Sequence, residues 1–363
     1  MTVICLSGNS CGLIVKKIRD SERSESKTDS TKVSGVSTDP VSSENSKDIA
    51  AASSEALRAR KYQYLEDISN KARENKERLL GGYWKLFQVY GGITTPNFGQ
   101  NAAPSEWESH FARLDEWKRA MPDSITARVA MASSWVTYAW EVRGTGLANT
   151  VSDENVRIFR ERIDKAKDEL EKSKSLEKKC PEWYSTMLSV AQAEGWSHAK
   201  YDEVFEEGFN LEPTYYTLVD AKTVNLMPQW SGKAGDLARF VDDTSTRIDG
   251  DEGDIMYFEI TSMLQPNYGG NIFRDTGLNW QRAKLGYAAL KKHYGVDRRR
   301  KNMFMYLALH AGDVQASDGA EMEVGDDWDE GVWKSKKTFD NIRFGIQMMR
   351  KAKAFSATPT PRS

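Results

Sequence analysis

The chain has 363 residues, with 51 basic against 53 acidic side chains and a formal net charge of −2, so no global field draws it to nucleic acid or to anionic lipid. Eleven Trp and fourteen Tyr imply a packed core with aromatic anchors, not a chain that is disordered throughout. Cys5, Cys11 and Cys180 form no CxxC pair, and His110, His198, His293 and His310 are scattered, which excludes a disulfide framework and leaves no zinc-ligand spacing.

At the N-terminus, Met1 to Val15 is mildly apolar but lacks a preceding basic region. Leu6-Ser7-Gly8 resembles the start of a lipoprotein signal box, yet Asn9 stands where the lipidated Cys belongs. As written the chain reads as cytoplasmic. A start codon further upstream that added a genuine signal would make it a cell-envelope protein. No segment approaches the ~18 apolar residues that span a bilayer.

Residues 16–56 are rich in Ser, Thr, Lys, Glu and Asp. With so little to bury, 1–56 is expected to be a disordered tail or tether. From 57 to 80, Leu57, Tyr64, Leu65, Ile68 and Ala72 share one helical face. Gly81-Gly82 ends that segment, Tyr83 to Phe87 forms a short helical hook, and Gly91 to Pro104 is a loop. Trp107, Phe111, Leu114 and Trp117 mark the next helix. Pro122-Asp123-Ser124 opens another, whose Ala127, Ala130, Met131, Ser134, Tyr138 and Ala139 suit close antiparallel packing. Ser152 or Asp153 caps a helix with Val156, Phe159, Ile163, Ala166 and Leu170 inward.

Pro181 and Pro213, 32 residues apart, each open a unit reading Pro, any residue, aromatic, Tyr. Proline is tolerated in a helix's first turn, and self-similarity at this length is near the ~34-residue tetratricopeptide period. Gly195-Trp196-Ser197 turns the chain between the first unit's helix and one carrying Tyr201, Val204, Phe205, Gly208 and Phe209. The second unit closes near Met227-Pro228. Asp254 caps a helix with Met256, Ile260, Met263 and Leu264, and further helices are expected at about 278–292, 300–311 and 331–351. The class is all-α: a tetratricopeptide-like array of stacked antiparallel helix pairs over 57–355, with a flexible C-terminus at 356–363.

Asp249 to Asp254 lacks the Gly at position six and Glu at position twelve of an EF-hand and reads as an acidic turn. Glu321 to Glu330 reads as a solvated acidic turn, and Arg298 to Lys301 as an exposed helix start. Gly144-Thr145-Gly146 is not a phosphate loop, since no strand precedes it. Cys180 stands at a helix start, where a thiol can become reactive; a small helix-start residue is the plainer reading. No catalytic constellation and no cofactor site emerge. Trp135, Tyr138, Trp140 and Arg143 on one helix, Trp183, Tyr184, Tyr215 and Tyr216 in the two Pro units, and Trp230 in a Gly-flanked loop are the candidate partner-groove or inter-repeat residues. Core packing competes for the first three, and Trp230 is expected to wedge between repeats.

Three stretches are similar to a bacterial family, the domain of unknown function 4034 family. They are residues 126–146, 180–236 and 250–260; the first carries Tyr138-Ala139-Trp140 with Arg143-Gly144, and the second Gly195-Trp196 with Ala199 and Tyr201, and Leu226-Met227-Pro228-Gln229-Trp230-Ser231-Gly232. Leu307 to Asp313, and Gly325-Asp326-Asp327-Trp328 with Val332-Trp333, extend the likeness to roughly 75–345. The resemblance implies a tetratricopeptide-like helical fold and no activity. Gly319-Ala320-Glu321-Met322 departs from it where a second repeat helix is expected.

These features point to a non-enzymatic binding or scaffolding protein whose partner is a protein or peptide segment, not nucleic acid, with the oligomeric state open. The alternatives are an enzyme with a pocket between the N-terminal helices and the array, or an accessory protein tethered to the cell envelope.

Overall fold

The computed structural model describes residues 46–97, 102–144, 151–176, 178–228, 230, 232–268 and 271–356. Among these it is all-α, with 17 α-helices, one 3₁₀ turn and no strand.

The helical body starts earlier than expected. Residues 1–45 lie outside the described residues, but α1 (Ser46–Arg58) is a helix rather than the end of a tail. Its Ile49, Ala50, Ala56 and Leu57 are buried, so the few apolar residues of a polar stretch are concentrated on one face. The chain breaks at Arg60, which has positive φ, and resumes as α2 (Tyr62–Glu74). The expected loop after Gly91 is instead the end of α3 (Lys85–Ile93). A Cβ on Gly92 would stand 2.1 Å from the Ala50 carbonyl oxygen. That glycine permits α1 and α3 to touch along their backbones.

The next helices follow the apolar spacing closely. Pro104 opens α4 (Pro104–Ala120), which buries Trp107, Phe111, Leu114 and Trp117. Ser124 caps α5 (Ile125–Arg143), accepting from the Ala127 amide, and Ser152 caps α6 (Asp153–Ser173). Then come α7 (Pro181–Glu194), α8 (His198–Leu211) and α9 (Thr217–Asn225). A helix the sequence reading passed over, α10 (Asp236–Ile248), precedes α11 (Gly250–Leu264). Asp249 and not Asp254 stands before α11, so the acidic string forms that helix's first turn.

The short α12 (Ile272–Thr276) leads to α13 (Trp280–His293) and α14 (Arg298–His310). Residues 314–324 do form a helix, α15 (Val314–Val324), despite Gly319. The expected last helix is split into α16 (Glu330–Trp333) and α17 (Lys336–Ser356). Residues 357–363 lie outside the described residues.

Two expectations of solvated charge are corrected. Arg300 is buried, and Glu321 and Asp329 of the acidic string are buried as well, because each has a partner across a helix contact.

Helix contacts run mainly between sequence neighbours and second neighbours. α5 packs on α6 and α7, α7 on α8 and α9, α9 on α10 and α11, and α11 on α13. Two contacts depart from that order: α1 reaches α4, and α11 reaches α14.

Candidate functional site

The segment between α2 and α3 is the most unusual part of the molecule. Residues 77–85 form a tight hairpin. The Leu79 amide donates to the Tyr83 carbonyl at 2.8 Å, and the Lys85 amide to the Glu77 carbonyl at 2.9 Å. Gly81 and Gly82 turn it with φ of 79° and 76°, a conformation that costs a side-chain-bearing residue. This hairpin and α3 are the hook anticipated from Tyr83 to Phe87. It lies across α9, α11, α13 and α14, far along the chain.

Arg78 anchors it. Its guanidinium donates to the Gly82 and Thr214 carbonyls at 3.0 and 3.1 Å and lies 3.5 Å from the Glu252 carboxylate. It sits 4.4 Å from the Trp84 ring centre, 5.1 Å from Tyr216 and 5.5 Å from Tyr294. Only the planar guanidinium offers donors at its edge and a cationic face to aromatic rings at once. The Tyr216 and Tyr294 hydroxyls both donate to Glu252. Burial, and then the Glu252 charge against the pull of Arg78, keep the Tyr216 phenol well above its ordinary pKa, so it acts as a donor.

Two further clusters flank this anchor. On one side Trp84 donates to the Thr214 carbonyl at 2.6 Å and meets Tyr215 edge-on at 5.2 Å. Tyr215, fully buried, donates to Glu182 at 2.6 Å, and Tyr90 lies 3.4 Å from the Cys180 sulfur. Cys180 is 1% exposed, which argues against a reactive surface thiol. On the other side Arg300 lies 3.7 Å below the Tyr83 ring and grips Glu259 with two bonds of 2.9 and 2.7 Å.

Asp220, on the same α9 face as Tyr216, looks toward Glu259. It keeps a little solvent-accessible area yet sits deep among packed atoms. Burial, and next the Glu259 charge, push its carboxyl up to about 8. It has no hydrogen-bond or ion-pair partner among the described residues. Burial raises Glu259 too, against the pull of Arg300.

The structure divides the candidate residues. Tyr215 and Tyr216 belong to the hook site. Trp135 and Tyr138 do not: Trp135 stacks on Phe111 at 3.8 Å, and Tyr138 lies between Trp107 at 4.6 Å and Arg162 at 3.2 Å. Trp140 meets Phe159 edge-on at 5.0 Å, with Arg143 5.5 Å from its ring. These four join α4, α5 and α6. Trp183 donates to the Leu170 carbonyl and the Ser173 hydroxyl, each at 3.0 Å, and Tyr184 packs at Gly208 of α8. Trp230 is partly buried against the core rather than enclosed, and its neighbours 229 and 231 lie outside the described residues.

The sequence reading missed Arg78, Glu252, Glu259, Asp220, Tyr294 and Arg300. Their helical spacing was visible only within α11, where Glu252 and Glu259 are two turns apart. The rest come together from positions spread between Arg78 and Arg300.

Among the described residues no group of three or more His, Cys, Asp or Glu is placed to hold a metal, and no helix is long and apolar enough to cross a membrane. Comparison with protein-family models, curated proteins and solved structures returned no match.

Proposed function

We propose that the chain is a non-enzymatic binding or scaffolding protein, a helical repeat array of the tetratricopeptide type that engages a protein or peptide segment. The neighbour and second-neighbour order of helix contacts supports the array. One observation carries the binding reading: the body already holds a non-helical stretch of chain, residues 77–84, across four helices by side chain to main chain bonds and an aromatic-lined cation site. Resemblance to the domain of unknown function 4034 family is part of this reading.

The partner surface is the rim where the hook meets the array. Phe87 and Gly91, one turn apart on α3, are partly exposed there, and a Cβ on Gly91 meets nothing within 4 Å. Gly91→Trp should therefore leave the fold intact and block the rim. Full-length protein cross-linked in native extract should retain a saturable partner that Gly91→Trp loses while its circular dichroism is unchanged. Retention indifferent to the substitution would sink the reading.

The enzyme alternative draws on Asp220 beside Glu259, two carboxyls with raised pKa at the same junction, an arrangement suited to general acid chemistry. Asp220→Asn separates the two readings: it spares partner retention if the protein is a scaffold.

A further inference from the structure

The last helix, α17, has two unlike faces. Its inner face is fixed: Phe339 and Ile346 are buried, and Arg343, Gln347 and Arg350 all bond to Glu321 of α15. Its outer face is apolar and open. Phe344 is 64% exposed, Met348 48% and Met349 44%, and Gly345 between them has no neighbour within 4 Å of a built Cβ. Basic residues bracket the strip. Lys337 and Lys351 are exposed and have no ion-pair partner among the described residues, and Asp340 is the single acidic residue of the helix, held by Lys336. The terminal helix of an array ordinarily turns a polar face outward.

We propose that α17 is a membrane-surface contact that lays Phe344, Met348 and Met349 on an anionic lipid interface. Three features select that occupant. With its other face packed on α15 and α16, the helix offers a flat strip, so no groove can wrap it as calmodulin-like partners do. A second copy of α17 is disfavoured by charge: parallel pairing sets each lysine beside its twin, and antiparallel pairing about Gly345 sets Lys337 beside the basic end that carries Lys351. An apolar strip between lysines matches an acyl boundary beneath anionic headgroups, where lysines reach outward to the charge. The net charge of −2 does not oppose this, because charges beyond a Debye length of about 8 Å are screened.

Full-length protein is sedimented with vesicles of phosphatidylcholine alone and of phosphatidylcholine with phosphatidylglycerol. It should pellet with the anionic vesicles, far less with the neutral ones, and be released by salt. Phe344→Glu/Met348→Glu and Lys337→Glu/Lys351→Glu each alter only exposed side chains. Each should weaken binding by at least about tenfold, given ~1 kcal/mol per surface lysine, with circular dichroism unchanged. No pelleting on either vesicle overturns the proposal. So does pelleting that both double variants retain, or retention of an acidic protein on α17 without vesicle binding.

Discussion

Asp220 gives the molecule a pH dependence with a definite sign. Its carboxyl is pushed up to about 8 in the fold, by burial and then by Glu259, against about 3.9 in an unfolded chain. A group that binds protons more tightly when folded supports the fold fully below the unfolded value. It loses that support as pH rises through about 8. His110 works the other way: burial, then Arg113, depress it to about 3, so its penalty appears only below pH ~6.5. Between pH 6.5 and 9 the melting temperature should fall, and Asp220→Asn should flatten most of that fall and raise the melting temperature at pH 9. An unchanged slope in the variant would show that Asp220 does not titrate there. Arg78 makes a second residue-scale claim. Arg78→Ala leaves the Gly82 and Thr214 carbonyls without their donor and takes the cation from beside the part-exposed Glu252, a change that costs about 1–3 kcal/mol. Arg78→Lys should recover little, because an ammonium cannot lie flat between rings. Urea midpoints measure both, and a near-neutral Arg78→Ala would mean that the box is incidental.

At the scale of elements, sequence legibility tracked local signals. Pro104, Ser124, Ser152 and Pro181 stand at helix starts, and the inward faces of α4, α6 and α8 match their apolar spacing. Where apolar residues were few or interrupted, the reading failed. α1 is hidden by its Ser and Ala content, although these small residues are what let it lie against Gly92. α10 buries only Leu237, Val241 and two hydroxyl residues, and α15 runs unbroken through Gly319, a poor helix former. The hook site was illegible for another reason: Arg78, Thr214, Glu252 and Tyr294 meet only through tertiary packing, and no local pattern encodes that. α1 changes what truncation should do. Removing residues 1–45, whose composition cannot build a core, should leave the melting temperature unchanged. Starting at Leu57 removes the buried Ile49, Ala50 and Ala56 of α1, which packs on α3, and should lower it, since losing a buried Ile side chain alone costs ~2–5 kcal/mol. Equal melting temperatures for the two chains would show that α1 does not pack there.

For the whole molecule, the hook makes a stack of near-neighbour contacts into something tied end to middle. An array held only by adjacent helices can open locally at any interface. Here residues 76–85 join α2 and α3 to Glu212, Thr214, Glu252 and Tyr294, so opening α9 from α11 also breaks the hook. Hydrogen–deuterium exchange on the full-length protein tests this clasp most directly. The amides of Leu79, Gly82 and Lys85 donate within the hairpin, and that of Gly81 to Tyr294. The clasp requires peptides covering 77–94 to be protected as strongly as those from α11 and α13, and Arg78→Ala to lower all three together. Fast exchange over 77–94 while α11 and α13 stay protected would contradict it.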